Sequence, residues 1–105
     1  CMQTIKLGCA TYTKAQAIAI MQQSTSKDMT YALAAQLIAA KLNTGCAGSN
    51  STCVSSAITA ADKFLCAHPV GSSVSANSSA WKGISSAYDT LVKYNEGQLC
   101  AKSRG

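Results

Sequence analysis

The residues with the most chemistry to offer are six cysteines, Cys1, Cys9, Cys46, Cys53, Cys66 and Cys100, in a chain of 105 residues. No two are spaced as Cys-x-x-Cys, so the usual signatures of thioredoxin-type redox exchange and of zinc ribbons are missing. Cys-x-x-Cys-His, which would attach a c-type haem, is absent too. With one histidine, His68, and no clustered carboxylates, a metal centre would need mostly thiolate ligands. An even number of cysteines at loop-like spacings fits disulfides better, and disulfides persist in oxidising compartments. His68 is the one general base of the usual kind. It precedes Pro69 at a helix end, where an imidazolium interacts favourably with the helix dipole, and catalysis would need partners placed around it. Ser72, Ser73 and Ser75 lie close in sequence, but no Gly-x-Ser-x-Gly elbow exists. Asp28 reads as a helix cap, and Asp62, Asp89 and Glu96 as solvated faces. The expectation is a protein that is not an enzyme and carries no cofactor.

Composition narrows the class further. The chain is 48% hydrophobic and 12% charged, with nine basic against four acidic residues and a net charge of +5. That is too apolar for a disordered tail, and no apolar run approaches the ~20 residues of a membrane helix. The lysines are scattered and Arg104 is the lone arginine, so the dense basic stripe of a nucleic-acid binder is missing. Attraction to acidic polysaccharide or to a cell surface is all that the net charge supports. The chain opens on Cys1 without an initiator methionine, the form of a processed mature chain. It is also the form of an acylated bacterial lipoprotein, although disulfide pairing gives this thiol other work.

The elements that must position these residues read as helices. Val, Ile, Phe, Tyr and Trp are sparse, and strict alternation never lasts. Thr13 is a good N-cap with Gln16 three residues on, as in a capping box, and Ala15 to Gln23 follows with Ile18, Ile20 and Met21. Asp28 caps a second helix running to Leu42, apolar around most of its circumference and so the central one. A third starts near Ser51 or Thr52 and runs to about Ala67, with Val54, Ile58, Ala61 and Leu65 on one stripe. Pro69 stops it. The fourth runs from about Ser79 to Asn95 with Trp81, Ile84, Tyr88, Leu91 and Val92 inward. Trp81 and Tyr88, at i and i+7, suit core packing better than a sugar platform. Asn50-Ser51-Thr52 and Asn77-Ser78-Ser79 match glycosylation acceptors and also suit loops and caps. The expected fold is all-α: a small, disulfide-linked four-helix bundle in a single domain over 1–105, with an N-terminal arm at 1–10 and the bundle over 11–101.

An up-down bundle places the start of the first helix, the end of the second, the start of the third and the end of the fourth together. Cys9, Cys46, Cys53 and Cys100 then cluster, predicting Cys53–Cys100 with Cys9–Cys46, or the rival Cys46–Cys53 with Cys9–Cys100. Cys66 lies at the other end, ~20 Å of helix from Cys53. The eight residues from Cys1 to Cys9 reach up to ~26 Å when extended, so Cys1 and Cys66 suit an internal bond. They equally suit an intermolecular bond that strings copies head to tail.

Thr11-Tyr12-Thr13-Lys14-Ala15-Gln16-Ala17 and the stretch from Tyr31-Ala32-Leu33-Ala34-Ala35-Gln36 through Lys41-Leu42-Asn43 resemble a module of bacterial secreted and surface proteins. Ala60-Ala61-Asp62-Lys63-Phe64-Leu65, His68-Pro69-Val70-Gly71-Ser72 and Asp89-Thr90-Leu91-Val92-Lys93-Tyr94-Asn95-Glu96-Gly97 continue the resemblance in order, from about Thr11 to Ala101. That family is functionally uncharacterised, often sits beside adhesive or repetitive surface domains, and supplies no catalytic residues. Its usual Trp-Lys-Asn-His-Pro-type lead-in is replaced here by Cys1 to Cys9. The resemblance implies a bacterial, extracellular setting. Few charges reduce repulsion between copies, and a structural subunit needs no cofactor or active site and tolerates a Ser/Thr-rich, uncharged surface. The function expected is therefore an extracellular structural subunit whose partners are copies of itself, forming a filament or surface layer. The alternative is a secreted lipid- or glycan-binding module. A six-cysteine sterol carrier of the elicitin type has different cysteine spacing, and the alanine-rich helices leave little room for a large cavity.

Overall fold

Thr4-Ile5-Lys6-Leu7 alternates polar and apolar residues, Gly8-Cys9 supplies a two-residue turn, and Ala10-Thr11-Tyr12-Thr13 follows. The computed structural model describes residues 3–23, 27–45 and 52–97, and in it this stretch is a β-hairpin. Strand β1 (Thr4–Leu7) pairs antiparallel with β2 (Ala10–Thr13), Leu7 opposite Ala10 and Thr4 opposite Thr13. Glycine stands first in the turn with φ +68°, as a type II′ hairpin turn demands. Helices α1 (Lys14–Met21), α2 (Met29–Gly45), α3 (Ser55–Ala67) and α4 (Ser79–Asn95) complete the order. The expected all-α class is thus corrected: the fold is mostly helical with a small two-stranded sheet. A four-residue strand is enough when one face has a bundle to pack on. Ile5 and Leu7 point into the core at 7% and 1% exposure, while Thr4 and Lys6 stay outside. Residues 4–7, expected as part of an arm, therefore contribute to the core.

The helices form for the reasons their sequences suggest. Thr13 caps α1 in a full capping box: its hydroxyl accepts from Gln16 N–H at 3.2 Å, and Gln16 Oε1 accepts from Thr13 N–H at 2.8 Å. Ser78 caps α4 by accepting from Trp81 N–H at 3.1 Å. Helix α3 begins at Ser55, later than expected, behind Val54, which offers no side-chain cap. Its end follows expectation, since Ala67 is its last residue and Pro69 comes two positions on.

Helix α2 is the central element. Leu33, Ala34, Leu37 and Ala40 are fully buried, and it touches α1, α3, α4 and β1. The alanines allow that many neighbours, because small side chains let helix axes approach closely. One polar link crosses the α2–α4 seam. Asn95 Nδ2 donates to Gln36 O at 3.0 Å and Gln36 Oε1 at 2.8 Å, while Asn43 donates to Asn95 Oδ1 at 3.1 Å. Trp81 and Tyr88 pack with their rings inclined at 60°, centroids 5.2 Å apart, and Trp81 is buried. They belong to the core and form no exposed platform. Among the described residues no helix is long and apolar enough to cross a membrane.

The cysteine pattern differs from the expected one. Cys9 is bonded to Cys66, with Cα atoms 4.7 Å apart. The Cys9–Cys46 pairing is therefore wrong, as is its rival Cys9–Cys100, and Cys66 is not available for a bond to Cys1 within or between chains. The hairpin is the reason. Cys9 sits in its turn, and β2 carries it ~13 Å away from the start of α1, toward the last turn of α3. Cys53 is also disulfide-bonded. The remaining pairing expectations fall on Cys1, Cys46 and Cys100, which lie outside the described residues.

Candidate functional site

Two carboxylates, Asp62 and Asp28, are engaged in holding the fold. Asp62, expected on a solvated face, is half-buried. Its Oδ1 accepts from Gly8 N–H at 2.8 Å and from Lys41 Nζ at 2.9 Å, and Lys41 also donates to the Lys6 carbonyl. The hairpin turn is thereby tied to α2 and α3 beside the Cys9–Cys66 bond. The turn also lies flush on α3: a Cβ added at Gly8 would stand 2.6 Å from Cys66 N and Leu65 C. Only glycine fits there.

Asp28 caps α2, as expected, and does more. Its Oδ1 accepts from Thr30 N–H at 3.0 Å, Thr30 Oγ1 at 2.7 Å and Val74 N–H at 3.2 Å, and its Oδ2 from Ser73 N–H at 3.0 Å. Thr30 Oγ1 in turn accepts from Gly71 N–H at 2.9 Å. A buried Asp-x-Thr unit thus fastens the loop between α3 and α4 onto the first turn of α2. Burial alone would raise the Asp28 pKa. The hydrogen bonds from Thr30, Ser73 and Val74 outweigh it, and the pKa falls below its ordinary 3.8.

The other candidates have local partners. His68 stacks on Phe64 with centroids 4.7 Å apart, and its backbone N–H closes the end of α3 on Phe64 O at 2.7 Å. The Ser72 hydroxyl donates to the Pro69 carbonyl. The Ser75 carbonyl accepts from both Ser78 N–H and Ser78 Oγ. No group of three or more metal-ligating side chains gathers among the described residues.

What the fold leaves open is α1. Its sequence, Lys-Ala-Gln-Ala-Ile-Ala-Ile-Met, is apolar around nearly the whole circumference, yet only Ala17 and Ile20 are buried. Ile18 and Met21, one turn apart, are each 46% exposed. A helix apolar on every side is normally covered on every side. Lys14, Ala17, Ile18 and Met21 line a groove of about 260 Å³ whose floor is Ile5, Ile38 and Leu42. On the other flank, Gln16, Ala19, Ile20 and Gln23 line a second, more open recess with Tyr12, Tyr31 and Val70. Ile18, Ile20 and Met21 are the large apolar residues that the sequence puts on this helix. Their spacing shows that they could not all face one core, since residues 18 and 20 are two apart and point to nearly opposite sides of a helix.

No family model, curated protein or solved structure matches the chain. The resemblance to the bacterial surface module therefore rests on the quoted residues alone.

Proposed function

We propose that the protein is an extracellular structural module that assembles with copies of itself, into a filament or surface layer, through the exposed flank of α1. The observation that carries this reading is the mismatch between α1's composition and its burial: two large aliphatic side chains, Ile18 and Met21, stand open on a helix whose polar residues are Lys14 and Gln16. Covering each recovers about 1 kcal/mol or more of the transfer free energy of a buried aliphatic side chain. The disulfide supports an oxidising compartment, as does the resemblance to secreted and surface proteins. Assembly in this scheme uses no Cys1–Cys66 bond between copies, since Cys66 is closed on Cys9.

The test is sedimentation velocity over a wide concentration range, with negative-stain electron microscopy of the concentrated protein. Assembly that disappears in Ile18→Asp and in Met21→Asp, with the helical circular dichroism unchanged, supports the reading. A monomer at every concentration overturns it. The groove beside these residues favours a second reading, an acyl-chain site with Lys14 facing an anionic head. A monomer that binds decanoate saturably would point there.

A further inference from the structure

The second recess, on the other flank of α1, has a different chemistry. Residues 14, 17, 18 and 21 form one helical stripe and residues 16, 19, 20 and 23 another. A two-residue offset turns the helix by about 200°, so α1 is a ridge with the apolar groove on one side and this recess on the other. The recess measures about 300 Å³, at the small end of the range for small-molecule sites. It is built from four elements: Tyr12 on β2, Gln16 and Ile20 on α1 with Gln23 just beyond it, Tyr31 on the first turn of α2, and Val70 from the loop after α3. No charged side chain is among the residues lining it.

We infer that this recess binds a neutral saccharide. Two half-buried tyrosines offer ring faces for the C–H faces of a pyranose, together with hydroxyls that both donate and accept. Two glutamine amides supply the paired donor and acceptor that adjacent sugar hydroxyls require. Gln16 is held for this: its Oε1 is fixed on Thr13 N–H at 2.8 Å by the capping box, which leaves its NH₂ to donate outward. The shallow, open form suits a sugar, which keeps part of its hydration, and does not suit an acyl chain, which needs enclosure. The lack of lysine or arginine in the lining removes the recognition of an acidic sugar or phosphate.

The wall that completes the recess is set in place by the Asp28 unit. Ser73 and Val74 N–H bind the Asp28 carboxylate and Gly71 N–H binds Thr30 Oγ1, one residue before Tyr31. Gly71 sits at φ +94°, and a Cβ there would lie 3.4 Å from the Tyr31 hydroxyl. Asp28 and Thr30 are accordingly positioning residues, while Tyr12, Tyr31, Gln16 and Gln23 touch the ligand. The inference is independent of assembly, because Ile18 and Met21 belong to the opposite flank.

The experiment is amide NMR titration of the whole, oxidised chain with cellotetraose, maltotetraose, chitotetraose and mannotetraose, with oligogalacturonate and decanoate as controls. Saturable shifts at Tyr12, Gln16, Tyr31 and Val70 with at least one neutral tetraose are expected. Tyr12→Ala should weaken that affinity about tenfold, the loss of one stacking partner. Tyr12 also packs partly against the core, so Gln23→Ala, at an exposed position outside α1, provides a variant the fold does not need; it should weaken binding about threefold, the loss of one neutral hydrogen bond. The inference is overturned if no neutral saccharide gives saturable shifts at these residues. It is equally overturned if oligogalacturonate or decanoate binds there instead, or if both variants keep the parent affinity.

Discussion

Replacing Asp28 by alanine removes one side chain and orphans several donors. Thr30 is fully buried and Val74 is 7% exposed, so their N–H groups lose the carboxylate with no water to replace it. Each such orphan costs about 1–3 kcal/mol. The exposed Ser73 N–H can turn to solvent, but the buried Thr30 O–H also loses its acceptor, since Gly71 N–H only donates to it. With three buried donors orphaned, the expected loss is about 3–9 kcal/mol, a large share of the ~5–15 kcal/mol that holds a domain together. Urea unfolding followed by far-ultraviolet circular dichroism measures it. The pH dependence separates charge from shape. Because the Asp28 pKa lies below 3.8 in the folded state, its stabilisation is complete above the unfolded pKa and is lost as pH falls through the folded pKa. The gap between parent and Asp28→Asn should thus be widest near neutrality and shrink below about pH 4. In Asp28→Asn one oxygen still accepts, but an NH₂ group would face the Ser73 N–H. A loss under about 1 kcal/mol in Asp28→Ala would refute the orphaned-donor argument. A gap that stays constant into acid would refute the role of the ionised carboxylate.

Removing the Cys9–Cys66 bond by the double change Cys9→Ser/Cys66→Ser frees a loop with a sequence separation of 57, worth about 4 kcal/mol in the chain-entropy account. Thermal unfolding should shift down by about 15 °C or more, and a drop under about 5 °C would mean that packing alone holds the hairpin. Gly8→Ala should destabilise by about 3 kcal/mol, because the residue has φ +68° and its Cβ would overlap the α3 backbone at 2.6 Å. Gly83→Ala, whose Cβ would meet nothing within 4 Å inside α4, should instead stabilise by up to about 1 kcal/mol. Equal responses at the two glycines in urea unfolding would refute the close fit of the turn on α3.

The helices were legible because their signals are local. Thr13 with Gln16, Asp28, Pro69 and the stripe from Val54 to Leu65 each act within a few residues, and the helix boundaries follow them closely. The hairpin is not legible because four alternating residues on either side of Gly8-Cys9 are a weak signal alone; β1 gains its stability from Ile5 and Leu7 entering a core made by other elements. That omission carried directly into the disulfide, since an arm leaves Cys9 beside the start of α1 and a hairpin delivers it to α3. Asp62 was unreadable for the same reason. Its partners, Gly8 and Lys41, are 54 and 21 residues away, and nothing in the local sequence marks a carboxylate that caps a distant turn. The recess beside Tyr12 and Tyr31 joins four separate elements, and no spacing along the chain announces it.

The long-range ties divide the molecule unevenly around α1. The Cys9–Cys66 bond and the Asp62–Lys41 pair fix the hairpin, and Asp28 fixes the loop carrying Gly71 to Val74. Helix α1 carries none of these ties and is anchored through its cap at Thr13 and the burial of Ala17 and Ile20. A helix of eight residues is too short to be stable alone, so its order depends on the walls that frame it. Local opening should accordingly begin there, with α1 amides exchanging faster than those of α2, whose apolar side is fully enclosed. A second copy seated on Ile18 and Met21 would cover the same helix and slow its exchange as concentration rises, by mass action. Exchange in α1 that ignores concentration while α2 remains protected would place the missing cover elsewhere, and would count against assembly through this flank.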